Sequence, residues 1–196
     1  VAYFLFALGL FYAALAVALP VADANFLVHP YLQMGEQQSP INKPQSLCLC
    51  WAALTNRRVI WTINYRISDD NTWKQADKIR QRSAVFEGML PFRLYHGALE
   101  NLAPGKEFEY QVLKNGRVVF SGKSYAPKGN QTPYSFVVVG DLATGSSAQK
   151  EVAFRLGIEK PDFIVITGDI VYSVGRVLEY LDLFFPVYNA KLASAI

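Results

Sequence analysis

The chain has 196 residues, of which 52% are hydrophobic and 18% charged, with a formal net charge of +3. That length allows more than one compact unit. So small a positive excess, with no concentrated basic face, argues against a nucleic-acid partner, and two cysteines alone do not make a zinc site.

Residues 1–19 carry no charge and are almost wholly apolar, and Val21-Ala22-Asp23-Ala24 follows Pro20. This small-x-small pattern suits signal peptidase, so residues 1–24 read as an export signal cut after Ala24. An uncleaved membrane anchor fits the same run, because 19 apolar residues nearly span a bilayer. Either reading places the rest of the chain outside the cytoplasm, in a periplasmic, extracellular or cell-surface setting.

Residues 25–127 read as an all-β unit. Strands are predicted over 26–33, 46–54, 59–68, 84–87, 93–99, 107–114 and 117–125. Turn residues separate them: Ser39-Pro40, Asn56, Asp69-Asp70-Asn71, Pro104-Gly105 and Asn115-Gly116. The last pair is a strong hairpin signal, since both residues tolerate positive φ. About seven short strands in roughly 100 residues suit a β-sandwich. Cys48 and Cys50 share one face of their strand, where a bridge between them would be strained; they read as core residues. Arg57-Arg58 and the basic residues of 78–82 read as solvated surface, and His29 and His96 as structural.

Residues 128–133 form a polar, breaker-rich linker with an Asn-x-Thr glycosylation acceptor at Asn130. From Tyr134 the pattern changes to strand, helix, strand, helix over 134–196. A strand over 135–139 precedes a helix capped by Ser146 or Ser147 and running to about Gly157. Val152, Ala153, Leu156 and Ile158 are spaced to pack on a sheet. Lys160-Pro161 ends this helix, and a strand over 162–166 follows. The second helix carries Val177, Leu178, Leu181 and Phe184 on one stripe and is expected to stop at Pro186.

Each of these strands ends in a Gly-Asp pair, Gly140-Asp141 and Gly168-Asp169, the second extended as Gly168-Asp169-Ile170-Val171-Tyr172. The 27 residues between the aspartates accommodate a loop, a helix and a return strand, hence a parallel pair. Carboxyl ends of parallel strands are where open α/β sheets build their sites. Two adjacent carboxylates repel unless a cation lies between them. Against this stand plainer roles: Asp141 capping its turn, Tyr172 packing at a helix start, and Thr144, Gly145, Ser146 and Ser147 capping a helix rather than cradling phosphate. The glycines are expected to supply the sharp turns that give a metal room.

These motifs, with Tyr95-His96-Gly97-Ala98-Leu99-Glu100-Asn101-Leu102 upstream, resemble the amino-terminal part of a purple acid phosphatase, within the calcineurin-like metallophosphoesterase superfamily. The resemblance covers about residues 26–196. It implies a fibronectin type III-like β-sandwich followed by the first part of an α/β metallophosphoesterase domain. Leu102-Ala103-Pro104-Gly105-Lys106-Glu107-Phe108-Glu109-Tyr110 is similar to the fibronectin-like corner, with Phe108 where that family usually has a tyrosine. Ala143 stands where the family often has the second glycine of Gly-Asp-x-Gly.

The resemblance further implies a dinuclear metal centre, Fe(III) with Fe(II), Zn(II) or Mn(II), and a small phosphate monoester as substrate. Asp141 and Tyr172 would bind the first metal, Tyr172 as a coloured phenolate, and Asp169 would bridge the two. No histidine occurs in 134–196, so the Asn and His ligands and the acid histidine are expected downstream, in a longer parent, and this fragment is expected to be inactive alone. Two alternatives share the sequence: a surface or matrix-binding fibronectin-like module with a degenerate catalytic part, and a phosphodiesterase or nucleotidase on the same fold.

Overall fold

The computed structural model describes residues 25–35, 46–54 and 59–194. The expected export segment, the turns at Ser39-Pro40 and Asn56, and Arg57-Arg58 lie outside the described residues.

Eight strands form the first part: β1 (Val28–Met34), β2 (Leu47–Leu54), β3 (Trp61–Ile67), β4 (Lys74–Gln75), β5 (Ile79–Ala84), β6 (Phe92–Leu99), β7 (Glu107–Lys114) and β8 (Arg117–Tyr125). They make two antiparallel four-stranded sheets, β1-β2-β6-β5 and β4-β3-β7-β8. Alternation drives the packing. Leu47, Leu49 and Trp51 on β2 meet Ile63, Tyr65, Phe108, Tyr110 and Val112 of the other sheet, all buried. The result is a β-sandwich.

Several expectations need correcting. Cys48 and Cys50 do share a face, but it is the half-buried face of β2 turned away from this core, because Leu47, Leu49 and Trp51 take the inward positions. The strand expected at 84–87 lies earlier, as β5, paired to β6 from Ile79↔Gly97 to Ala84↔Phe92, and Val85 and Phe86 are exposed in the loop beyond. β5 is a charged edge strand with little apolar alternation to betray it. The hydroxyl missing at Phe108 is replaced from the neighbouring strand. Tyr65 donates to the Glu100 carbonyl at 3.1 Å, tying down the chain beside the Asn101–Gly105 corner.

Beyond the sandwich, β9 (Phe136–Val139) and β10 (Phe163–Ile166) pair in parallel, from Phe163↔Phe136 to Ile166↔Val139. Helix α1 (Ser147–Glu159) makes the crossover, with Ser146 as its N-cap and Lys160 in the left-handed conformation (φ 45°) as its C-cap. Only Ala153 and Leu156 of its expected stripe are buried; Val152 and Ile158 are exposed.

The final helical segment comprises α2 (Val177–Glu179), a π-helical turn (Tyr180–Phe184) and α3 (Phe185–Leu192). Pro186 therefore does not stop the helix. It sits in the first turn of α3, where no intrahelical N–H is required, and the π-turn before it absorbs the change in hydrogen-bond register.

This segment packs on the sandwich. Tyr31 and Phe185 rings lie 5.6 Å apart, Asn189 donates to the His29 carbonyl at 3.0 Å, and Tyr110 donates to the Ala193 carbonyl at 2.6 Å. Among the described residues no helix is long and apolar enough to cross a membrane.

Asp162 fastens the start of β10. One carboxylate oxygen accepts from Lys128 Nζ at 2.7 Å, the Ser135 amide at 2.7 Å and the Ser135 hydroxyl at 3.1 Å. Partial burial opposes ionisation, but Lys128 and Ser135 outweigh it, so the carboxyl lies below its ordinary value. A depressed folded-state pKa contributes stability that is full above the unfolded value, near 4, and is lost as pH falls through the folded one. Asp162→Asn is expected to cost on the order of 2 kcal/mol at neutral pH. Denaturant midpoints of wild type and variant should converge as pH drops below about 4.

Candidate metal centre

The site begins where β9 and β10 end. The two strands keep their partnership past the sheet: Thr167 N bonds the Val139 carbonyl at 3.0 Å, Leu142 N the Asp169 carbonyl at 3.2 Å and Ala143 N the Ile170 carbonyl at 2.9 Å. The pairing carries through to a parallel bridge between Ala143 and Val171. Leu142, Ala143 and Val171 are buried beneath this double loop with Ala153, Leu156 and Phe184. Their burial leaves Asp141 and Asp169 exposed on top.

Both aspartates adopt the left-handed conformation, Asp141 at φ 52° and Asp169 at φ 46°. A non-glycine residue there costs of order 1–3 kcal/mol, and such residues gather at functional sites. Aspartate tolerates the region better than most. The turn chemistry thus differs from expectation. Gly168 has φ 137°, as foreseen, but Gly140 has no positive φ. Its smallness is needed instead because a Cβ there would stand 3.0 Å from Thr167 Oγ1, which donates to the Val139 carbonyl at 3.2 Å.

Tyr172 completes the group. Its hydroxyl donates to Asp141 Oδ1. That bond, partial burial and the charges of Asp141 and Asp169 push the phenol well above its ordinary value. The three side chains proposed from sequence are therefore brought together. Two carboxylates and a phenol form a hard oxygen donor set, which fits hard cations. A cation in contact would reverse the electrostatics that hold the proton on Tyr172. Among the described residues, no three His, Cys, Asp or Glu side chains converge into a metal cage.

The segment between Thr144 and Gln149 serves the helix. Ser146 Oγ accepts from Gln149 N at 3.3 Å, and Gln149 Oε1 accepts from Gly145 N at 2.8 Å. His29 packs on the Phe26 and Phe120 rings of the sandwich, and His96 lies on β6, away from the aspartates.

One residue escaped sequence reading. Glu179 accepts from the amides of Ser173 at 2.8 Å, Val174 at 3.4 Å and Arg176 at 2.8 Å, gathering the loop that follows Tyr172. Partial burial works against its ionisation, but the amides of Arg176, Val174, Ser173 and Gly175 prevail, and its carboxyl lies below the ordinary value. The available signal was glutamate at the third position of a helix, the spacing of a capping box, without Ser or Thr at the cap to mark it. Glu179→Gln is expected to speed amide exchange at Ser173, Val174 and Arg176. If the trio holds a cation, its affinity should fall roughly 10- to 100-fold, as for residues that orient a ligand. Unchanged exchange with unchanged affinity would refute this positioning role.

No protein-family model matches this chain, and no curated protein matches it. Among solved structures, one of PhoD matches with a TM-score of 0.52 at 11% identity, covering 91% of this chain and 39% of that one. The likeness is one of fold. This chain spans well under half the length of that structure.

Proposed function

We propose that this chain carries metal-holding residues of a hydrolase that acts on small phosphate monoesters. The architecture proposed is a fibronectin type III-like sandwich joined to an α/β metallophosphoesterase domain. The observation that carries the reading is the convergence of Asp141, Asp169 and Tyr172 where two parallel strands end. Two carboxylates drawn together repel, and a cation between them would relieve that repulsion.

By the resemblance to purple acid phosphatases, Asp141, Asp169 and Tyr172 would hold a dinuclear centre, Fe(III) with Fe(II), Zn(II) or Mn(II), with Asp141 and Tyr172 serving the first metal and Asp169 both. When bound, such a centre neutralises phosphoryl charge and acidifies a water. The chain's own residues do the rest. The left-handed conformations of Asp141 and Asp169 turn the chain just beyond the paired strand ends. Tyr172, protonated and donating to Asp141 in the metal-free chain, would release its Oη proton to solvent on binding the metal. Glu179 holds the loop that positions Tyr172. Exposure of the aspartates leaves a small substrate free to approach.

Three oxygen donors do not fill the coordination of two cations. The proposal therefore requires further donors from outside the described residues. The fold shared with PhoD supports the architecture and leaves the chemistry to experiment. An exported location is part of the same proposal.

The test is hydrolysis of 4-nitrophenyl phosphate by the whole protein before and after chelation. Chelation should abolish turnover, and iron should restore it together with a visible tyrosinate band that Tyr172→Phe removes. Turnover indifferent to chelation, or a band retained in Tyr172→Phe, would contradict the assignment.

A further inference from the structure

A groove of about 1030 Å³ runs where the sandwich meets the helical segment. β1 and β8 are edge strands of their two sheets, and both contribute to its wall, as do the π-helical turn and α3. Phe26, Phe120, Leu181, Phe185, Ala190 and Ala193 make it apolar, and the Phe26 and Phe120 rings meet edge-on at 6.2 Å. Small-molecule sites are concave, mostly apolar and about 300–1,000 Å³ in size, with a few polar groups that fix the ligand. None of Asp141, Asp169 and Tyr172 borders this groove.

The polar side chains in the wall select the head group. Lys123 Nζ bonds Glu109 at 2.6 Å and stands 3.9 Å from Glu107, so its charge is already matched and an anionic ligand would have to displace carboxylates. Asp182 is exposed in the π-helical turn and makes no hydrogen bond or ion pair with a described residue. Single π-turns recur at functional sites. Asn189 is only 8% exposed. Its Nδ2 donates to the His29 carbonyl at 3.0 Å and the Pro30 carbonyl at 3.4 Å. Only the amide nitrogen can serve two carbonyls, which turns Oδ1 away from them, and no described residue donates to that oxygen. An acceptor so buried is costly to leave without a donor. Both unmet groups are acceptors and one is charged. Their complement is a cationic donor.

We infer that this groove binds a small organic amine, with Asp182 as its counter-charge, Asn189 Oδ1 as a hydrogen-bond acceptor and the Phe26, Phe120 and Phe185 rings around its apolar body. Aromatic faces attract a cation as well as apolar surface, so the same rings suit both parts of such a ligand.

The test titrates the whole protein with phenethylamine and, in parallel, with the neutral phenethyl alcohol, read by calorimetry and amide NMR. The amine should bind at least about 10-fold more tightly than the alcohol, because it alone makes a charge-assisted bond. Asp182→Asn should erase that preference and leave the alcohol's affinity unchanged. Ala190→Trp, at an exposed position, should fill the groove and stop both ligands. In the wild type, which needs no variant to fold, resonances of Ser121, Gly122 and the Asn189 side-chain amide should shift with the amine. No binding of the amine, equal affinity for amine and alcohol, a preference retained in Asp182→Asn, or shifts confined to other surfaces would each overturn the site. So would binding seen only after residues 1–24 are cut away, which would make them the occupant, or sedimentation showing that two chains pair through the groove.

Discussion

On the proposed metal site, Asp169→Asn should abolish stabilisation by added cations while leaving the metal-free fold intact. At 100 times its dissociation constant a ligand of the folded state adds about 2.7 kcal/mol. Wild type should gain that much from Mn(II) or Fe(III), read as a calorimetric shift reversed by chelator. The variant should gain almost nothing, because it loses the carboxylate of the second motif, one of the two whose charge bears on Tyr172. Without metal, the variant should equal or exceed wild type in stability. Asparagine tolerates φ near 46° as aspartate does, and it relieves repulsion from Asp141. A residue kept only for folding would behave oppositely, with loss in the metal-free chain and no change in the metal response.

Trp51→Ala should cost about 3–5 kcal/mol. Trp51 is fully buried, stacks on Tyr95 with centroids 5.3 Å apart, and meets Trp61 edge-on at 5.6 Å. Its neighbour Ala52 lies on the opposite face of β2, in the cluster with Val177 and Phe185. Loss of the indole therefore loosens a strand that the helical segment also uses, so metal response and sandwich should melt together. Trp51→Phe is the informative control. Among the described residues the buried Trp51 Nε1 has no hydrogen-bond partner, so phenylalanine sheds an unsatisfied N–H while keeping a ring against Tyr95. Its cost should be closer to 1 kcal/mol. Equal losses in the two variants, measured by denaturant midpoint, would contradict this account of the core.

What the sequence disclosed follows from which signals are local. β7 and β8 were readable to the residue because Asn115-Gly116 takes positive φ at both positions, 50° and 79°, and that turn fixes the register. The convergence of Asp141 and Asp169 was readable for a related reason: apolar strands of equal length, joined by one helix, place their ends side by side.

The less legible features depend on neighbours distant in sequence. β5 exists because β6 offers it an edge. The outward turn of Cys48 and Cys50 depends on which face of β2 meets the second sheet. Continuation of the helix through Pro186 depends on a π-turn that no propensity scale marks. At Gly140 the residue type was readable and its reason was not, since the crowding comes from Thr167 on the other strand.

The central claim is that Asp141, Asp169 and Tyr172 hold a metal together. Anomalous diffraction from crystals of this chain grown with Mn(II) or Fe(III) reads it directly. A peak is expected within roughly 2.0–2.2 Å of an oxygen from each of the three side chains. Metal bound elsewhere, with Tyr172 still donating to Asp141, would contradict the account.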